Sequence, residues 1–266
     1  MLKPLVPATK LPRVLPGAAS GREGKRLGDY NSLSCGGCVS RILVINHKGG
    51  CGKTTVATNL AAAFARRGQT AALLDYDPQG SSARWASLRD TQLPRIQCIS
   101  AHEVPVGVTR SWFMRVEPFT DVCLVDTPAG VRRELLMDHV RQADAIVVPV
   151  LPSAIDIHAA ARFVQELLLT AKVRSLGKPV GIVANRVRQN TIAYRALQRF
   201  LVQVKIPVVG VLRDTQNYVR TAAVGKGVAD LPLDANTRRD VAQLNRVMRW
   251  IDAALTSGQP SVEQVS

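Results

Sequence analysis

The run Lys48-Gly49-Gly50-Cys51-Gly52-Lys53-Thr54-Thr55 gathers two lysines, three glycines and two hydroxyls in eight positions. That mixture suits phosphate. Glycines let successive backbone N–H groups turn toward phosphate oxygens, and a helix opening at the end of the loop adds its partial positive charge. Lys53 can reach the outer phosphates, and the Thr54 hydroxyl can ligate Mg²⁺. The plain phosphate-loop pattern needs a glycine where His47 stands, so it formally fails; instead a second lysine, Lys48, precedes the glycine pair. Other candidate groups end apolar runs. Asp75 and Asp77 follow Ala71–Leu74, Asp126 follows Val122–Val125, and Asn185 follows Val180–Ala184. Four apolar residues ending in Asp form a Walker B type strand. Asp126 is expected to hold Mg²⁺ through water, because that ion keeps much of its hydration shell. Pro78 biases Asp77 toward extended geometry and away from any helix.

The elements that must carry these residues alternate along the chain. Strand-like runs lie at Ile42–Asn46, Ala71–Asp75, Ile96–Ser100, Val122–Asp126, Ala145–Val150, Val180–Asn185 and Val208–Leu212, with helical patterns between most of them, the first from Thr54 to Arg67. Such alternation predicts an α/β fold, a mainly parallel twisted sheet with helices on both faces. Ligands of such sheets bind beyond the carboxyl ends of the strands. The loop, the three aspartates and Asn185 all fall at those ends, which predicts one shared site.

KGGxGKTT resembles the deviant Walker A motif of the ParA/MinD family of P-loop ATPases, and Asp75-Tyr76-Asp77-Pro78-Gln79 resembles that family's DxDPQ motif. Asp126-Thr127-Pro128-Ala129 fits its third motif, and the likeness to small Soj-like partition and positioning members runs from Arg41 to about Trp250. The resemblance implies ATP and Mg²⁺ as ligands and a homodimer formed on ATP binding. It makes Asp77 the group that orients or activates the attacking water and puts Asp75 near the Mg²⁺ shell. It has Lys48 reach across a dimer interface as a charge stabiliser, the work of an arginine finger elsewhere; one more contact in cis is the alternative. It puts Asn185 against the adenine, although an asparagine closing a strand as a turn former is the other reading. Gly130 would give a switch loop its backbone freedom.

The chain of 266 residues suits one α/β domain, here 40–255, between a basic N-terminal tail (1–39) and a polar C-terminal tail (256–266). The N-terminal stretch has no sustained periodicity, so a mis-assigned translation start is an alternative reading. Its Cys35-Gly-Gly-Cys38 lacks neighbouring zinc ligands and reads as two accessible thiols. Five cysteines and no apolar h-region fit a cytoplasmic protein.

A formal charge of +15 favours polyanions, and 5% aromatic content argues against base stacking as the main mode of binding. Residues 185–249 hold ten Arg and two Lys against four Asp, a net +8. Arg195 and Arg199 lie one helical turn apart. Arg238, Arg239, Arg246 and Arg249 fall on one side of the last helix, with Val241, Leu244, Met248, Ile251 and Leu255 on the other. These six arginines are expected to form a surface for non-specific DNA, giving nucleoid association. A partner protein or cargo adaptor, encoded nearby in this family, would stimulate hydrolysis. The end of the chain, polar and containing Pro260, is a poor membrane anchor. The alternatives are a MinD-like membrane regulator and, from another class, an iron–sulfur scaffold. The latter needs cysteines facing across a dimer, whereas Cys98 and Cys123 sit on strand patterns.

Overall fold

The computed structural model describes residues 39–102, 115–204 and 206–257. The chain begins its sheet with β1 (Ser40–Val44) and runs into α1 (Lys53–Arg66), β2 (Ala71–Asp75), α2 (Ser81–Ser87), β3 (Ile96–Ser100) and β4 (Val122–Asp126). It continues as α3 (Arg133–Gln142), β5 (Ala145–Val150), α4 (Ala154–Leu169), β6 (Val180–Val187) and α5 (Ile192–Val204). β7 (Val208–Arg213), α6 (Gln216–Ala222), a 3₁₀ turn (Val228–Asp230) and α7 (Ala235–Ser257) complete it. The seven strands form one sheet in the order β3-β2-β4-β1-β5-β6-β7, and the paired strands are parallel. This is the α/β sheet that the alternation of runs predicts.

β2, β4 and β5 are buried along their whole length, which is why they read as unbroken apolar runs. The pleat sends alternate residues to opposite faces. Ile42 and Val44 join a core with α1, Trp85 and α7, while Leu43 and Ile45 join a second core with Leu136, Phe163 and Leu197. Phe64 and Phe163, each 1% exposed, anchor the two cores, and each contributes about 1.5–3 kcal/mol by burial.

Some boundaries differ from expectation. β1 stops at Val44, so Ile45 and Asn46 already belong to the loop, although Ile45 N still donates to Val147 O at 3.0 Å. β6 runs on to Val187 because irregular pairing with β7 carries the ladder past Ala184. α7 continues to Ser257, two residues into the expected polar tail. Cys35, Cys38 and nearly all of both tails lie outside the described residues, as does Lys205.

A buried carboxylate ties the first helices to the 3₁₀ turn. Asp230 accepts from Arg66 Nε and Arg89 Nη1, each at 2.8 Å, and from Gly227 N at 2.9 Å. Burial alone would raise its pKa, but the bonds from Arg89, Gly227 and Arg66 outweigh burial and hold the carboxyl below its ordinary value. Gly225 passes so close to the residues just after α2 that a Cβ there would lie 2.4 Å from Arg89 N.

Candidate functional site

β1 lies between β4 and β5, with β2 and β3 beyond β4 and β6 and β7 beyond β5. Its carboxyl end is therefore the switch point of the sheet, where a crevice opens. Residues 45–52 fill this point. The Asn46 side chain, 1% exposed, donates to Pro149 O at 2.8 Å and accepts from Lys48 N at 3.0 Å, so it pins the loop to β5. Gly50 and Gly52 have φ of 75° and 92°, the left-handed conformation that favours glycine. At Gly52 a Cβ would also lie 2.1 Å from Asn185 Nδ2, so the close approach admits no side chain.

α1 opens directly from Gly52 with no side-chain cap, and its first N–H groups are available to an anion. Lys53 is buried, 7% exposed, with Nζ 3.3 Å from Lys48 O, which places its ammonium within the loop. Lys48 is half-buried. The Cys51 thiol is buried; burial raises its pKa above the ordinary thiol value, opposed by the charge of Lys53. A thiol so held is inert at neutral pH.

His47 explains how the loop dispenses with its first glycine. The imidazole turns away from the phosphate side and packs on Phe163 of α4, centroids 4.7 Å apart, with Nδ1 3.5 Å from Glu166. Its carbonyl accepts from Gly130 N at 3.2 Å, and Thr127 Oγ1 donates to Val44 O at 3.0 Å. The segment Asp126–Gly130 thus wraps the start of the loop, with Gly130 at a φ of 65°.

The aspartates divide their work. Asp126 is 1% exposed, and its Oδ2 accepts from Thr54 Oγ1 and Ser82 Oγ, each at 2.7 Å. Oδ1 is buried with no hydrogen-bond partner. Burial pushes the Asp126 carboxyl up to about 7, against the pull of the Thr54 and Ser82 hydroxyls. A buried carboxylate with one oxygen unsatisfied is costly by itself and fits a cation. The Thr54 hydroxyl donates to Asp126 and keeps lone pairs that can accept, so the donor set is of the hard-oxygen kind that Mg²⁺ takes. Thr54, placed by the phosphate loop, and Asp126 are therefore the residues that would hold it.

Asp75 pairs with Asp126 in register on the neighbouring strand and is fully buried. Sequence reasoning puts it near the Mg²⁺ shell. Each of its oxygens already accepts a backbone bond, Oδ1 from Asp77 N at 3.0 Å and Oδ2 from Ala83 N at 2.9 Å. Through these two bonds it brackets the turn that carries Asp77. Within the turn, Asp77 Oδ1 accepts from Gln79 N at 3.0 Å and the Asp77 carbonyl from Gly80 N at 2.8 Å. Asp77 is half-buried.

Asn185 is likewise occupied locally. It is 2% exposed; its Nδ2 donates to Cys51 O at 2.9 Å and its Oδ1 accepts from Arg186 N at 3.0 Å. It ties β6 to the phosphate loop. Beside it a cleft of about 380 Å³ opens between Thr55, Arg186, Asp214 and α6.

The six expected DNA-facing arginines, Arg195, Arg199, Arg238, Arg239, Arg246 and Arg249, are all exposed, and none has an ion pair among the described residues. Leu244, Val247, Met248 and Ile251 form the buried side of α7. Three other cations of that stretch have carboxylate partners: Arg186 and Arg188 share Asp214, and Arg213 is bound to Asp240. Cys123 is fully buried within the sheet, and Cys98 is half-buried on β3. Among the described residues no helix is long and apolar enough to cross a membrane.

Residues 42–228 match the family model described as the CobQ/CobB/MinD/ParA nucleotide binding domain. The chain belongs to this family. Halothiobacillus neapolitanus maintenance of carboxysome distribution protein A is 29% identical over 79% of this chain and 95% of its own length. The chromosome-partitioning ATPase Soj of Thermus thermophilus is 51% identical over 51 residues, 19% of this chain and 20% of Soj. Among solved structures, MinD of Aquifex aeolicus overlays with a TM-score of 0.61 at 20% identity, over 80% of this chain and 97% of MinD. An ATP complex of Cyanothece McdA overlays with a TM-score of 0.58 at 14% identity, over 85% of this chain and 99% of that one. These overlays speak for a shared fold: a MinD/ParA-type P-loop domain.

Proposed function

We propose that this ParA/MinD-family protein is a Mg-ATP-dependent dimerising ATPase that binds DNA without sequence preference and positions a cargo. One observation carries the nucleotide reading. Thr54 and Asp126 meet beneath the uncapped N-terminus of α1, and Asp126 keeps a buried oxygen with no partner. Held there by Thr54 and Asp126, magnesium would supply positive charge that offsets the charge of the phosphates. The chain's own groups do the rest. Lys53 and the first N–H groups of α1 hold the outer phosphates, and the cleft by Arg186 and Asp214 takes the base and ribose. Asp77 orients a water, and Lys48 of each subunit reaches the nucleotide of its partner.

The DNA reading rests on six exposed arginines of α5 and α7 that have no ion pair among the described residues. It places the protein on the nucleoid. The relatives suggest the cargo class: a protein assembly, as the name of the Halothiobacillus relative implies, or a chromosome, as that of Soj implies. A second protein would stimulate release. The likeness to MinD keeps a membrane as the competing surface.

Co-sedimentation with DNA and with anionic liposomes, in Mg-ATP and in Mg-ADP, tests this. Pelleting with DNA in ATP and not in ADP is expected. Charge reversal of Arg239 and Arg246 together should lower the log–log salt slope by roughly two, at about 0.9 per phosphate contact. The loss should be equal on unrelated sequences, because phosphate contacts carry no base information. Pelleting with liposomes alone would overturn the DNA reading.

A further inference from the structure

Ser82 belongs to none of the nucleotide motifs, yet it is fully buried with its hydroxyl 2.7 Å from Asp126. It sits in the first turn of α2, whose start has no side-chain cap. Two hydroxyls from different elements, Thr54 Oγ1 and Ser82 Oγ, thus converge on one oxygen of one carboxylate. Two donors on one oxygen hold that oxygen in place and leave Oδ1 as the carboxylate oxygen with no hydrogen-bond partner. One residue further on, Ala83 N is held by Asp75, and Asp75 also holds Asp77 N. The segment 77–83 is therefore anchored at three points to two carboxylates that sit side by side on β2 and β4. Packing alone does not require a hydroxyl here, since an alanine would bury equally well in a helix.

We propose that Ser82 is a positioning residue for the metal. Its hydroxyl sets the orientation in which Asp126 meets Mg²⁺, and it ties the turn bearing Asp77 to the occupancy of that site. This rests on the reading of Thr54 and Asp126 as the Mg²⁺ ligands. Hydrogen-bond partners of metal ligands typically change metal affinity about 10–100-fold when removed.

The test is binding of a fluorescent ATP analogue, titrated with Mg²⁺ and repeated in EDTA, for the wild type, Ser82→Ala and Ser82→Cys. Cysteine nearly keeps the volume of serine and is a weak donor. Both variants should need roughly 10-fold or more Mg²⁺ for half-maximal binding. Their affinity in EDTA should match the wild type, because the phosphate loop is intact. A merely structural serine would weaken binding equally with and without Mg²⁺. That result, or an unchanged Mg²⁺ requirement in Ser82→Cys, overturns the proposal. Should Ser82→Ala fail to fold, Ser82→Cys decides alone. Failure of the wild type to bind nucleotide at all would instead remove the nucleotide reading, and this proposal with it.

Discussion

Lys48 and Lys53 share a loop but not an environment. Lys53 is buried with its ammonium on a loop carbonyl, whereas the described contacts of Lys48 involve only its backbone. A lysine committed inward serves the phosphates of its own subunit, and one left over can serve a neighbour. Lys48→Ala should therefore retain nucleotide through Lys53 and Thr54 while losing the ATP-dependent dimer and about 10³-fold in hydrolysis, on the scale of an arginine finger. Light scattering and phosphate release check this; a normal dimer with normal turnover returns Lys48 to a contact in cis. At this scale the motif residues are legible in sequence because the phosphate loop is local: eight adjacent positions nearly make the site. Ser82 is not, because its bond to Asp126 spans 44 residues and depends on where α2 begins. The role of Asp75 is hidden for the same reason. A carboxylate at a strand end is visible, but the two N–H groups that take its oxygens come from a turn and a helix start whose shapes the residue string does not display. Likewise, nothing local announces that the His47 ring leaves the loop for Phe163 and Glu166.

The elements are held in place by contacts of this long-range kind. Asp230 has a fully buried side chain and Arg89 one only 5% exposed, so together with Arg66 they make an ion-pair cluster joining α1, the residues just after α2 and the 3₁₀ turn. Breaking one partner of a buried pair leaves a charge uncompensated, and Asp230→Asn should cost about 3–5 kcal/mol at neutral pH. The sign with pH follows from the lowered carboxyl. The stabilisation is complete above the unfolded value of 3.8 and is lost as pH falls through the lower folded value. Thermal melting between neutral pH and pH 3 should show an acid-induced loss in the wild type that is smaller in Asp230→Asn. Equal melting temperatures at neutral pH would sink the idea. The strands themselves are legible in sequence because a buried parallel strand needs apolar residues on both faces. Their ends are less so: β6 continues through the polar pair Asn185-Arg186 only because β7 accepts an irregular register. α2, with seven residues, is too short for its periodicity to stand out.

Over the whole molecule, charge and topology point in complementary directions. The sheet order gathers the loop, Asp126, Asp77 and Lys48 at one end of the strands, whereas the six exposed arginines lie on α5 and α7. The net charge does not show which cations stand alone. Three of the twelve cations in residues 185–249 lie against Asp214 and Asp240, and a count of residues does not reveal which three. In the proposed function, separating the nucleotide end from the arginine faces lets ATP govern DNA binding through dimerisation, since two copies would double the phosphate contacts. Hydrolysis that needs Lys48 from a partner must then depend on encounter between subunits. The most direct test is phosphate release with saturating Mg-ATP, measured across protein concentrations from nanomolar to micromolar. The rate per subunit should rise with concentration and level off as dimers saturate. A rate per subunit that is constant over the whole range, or no phosphate release at any concentration, would contradict the account.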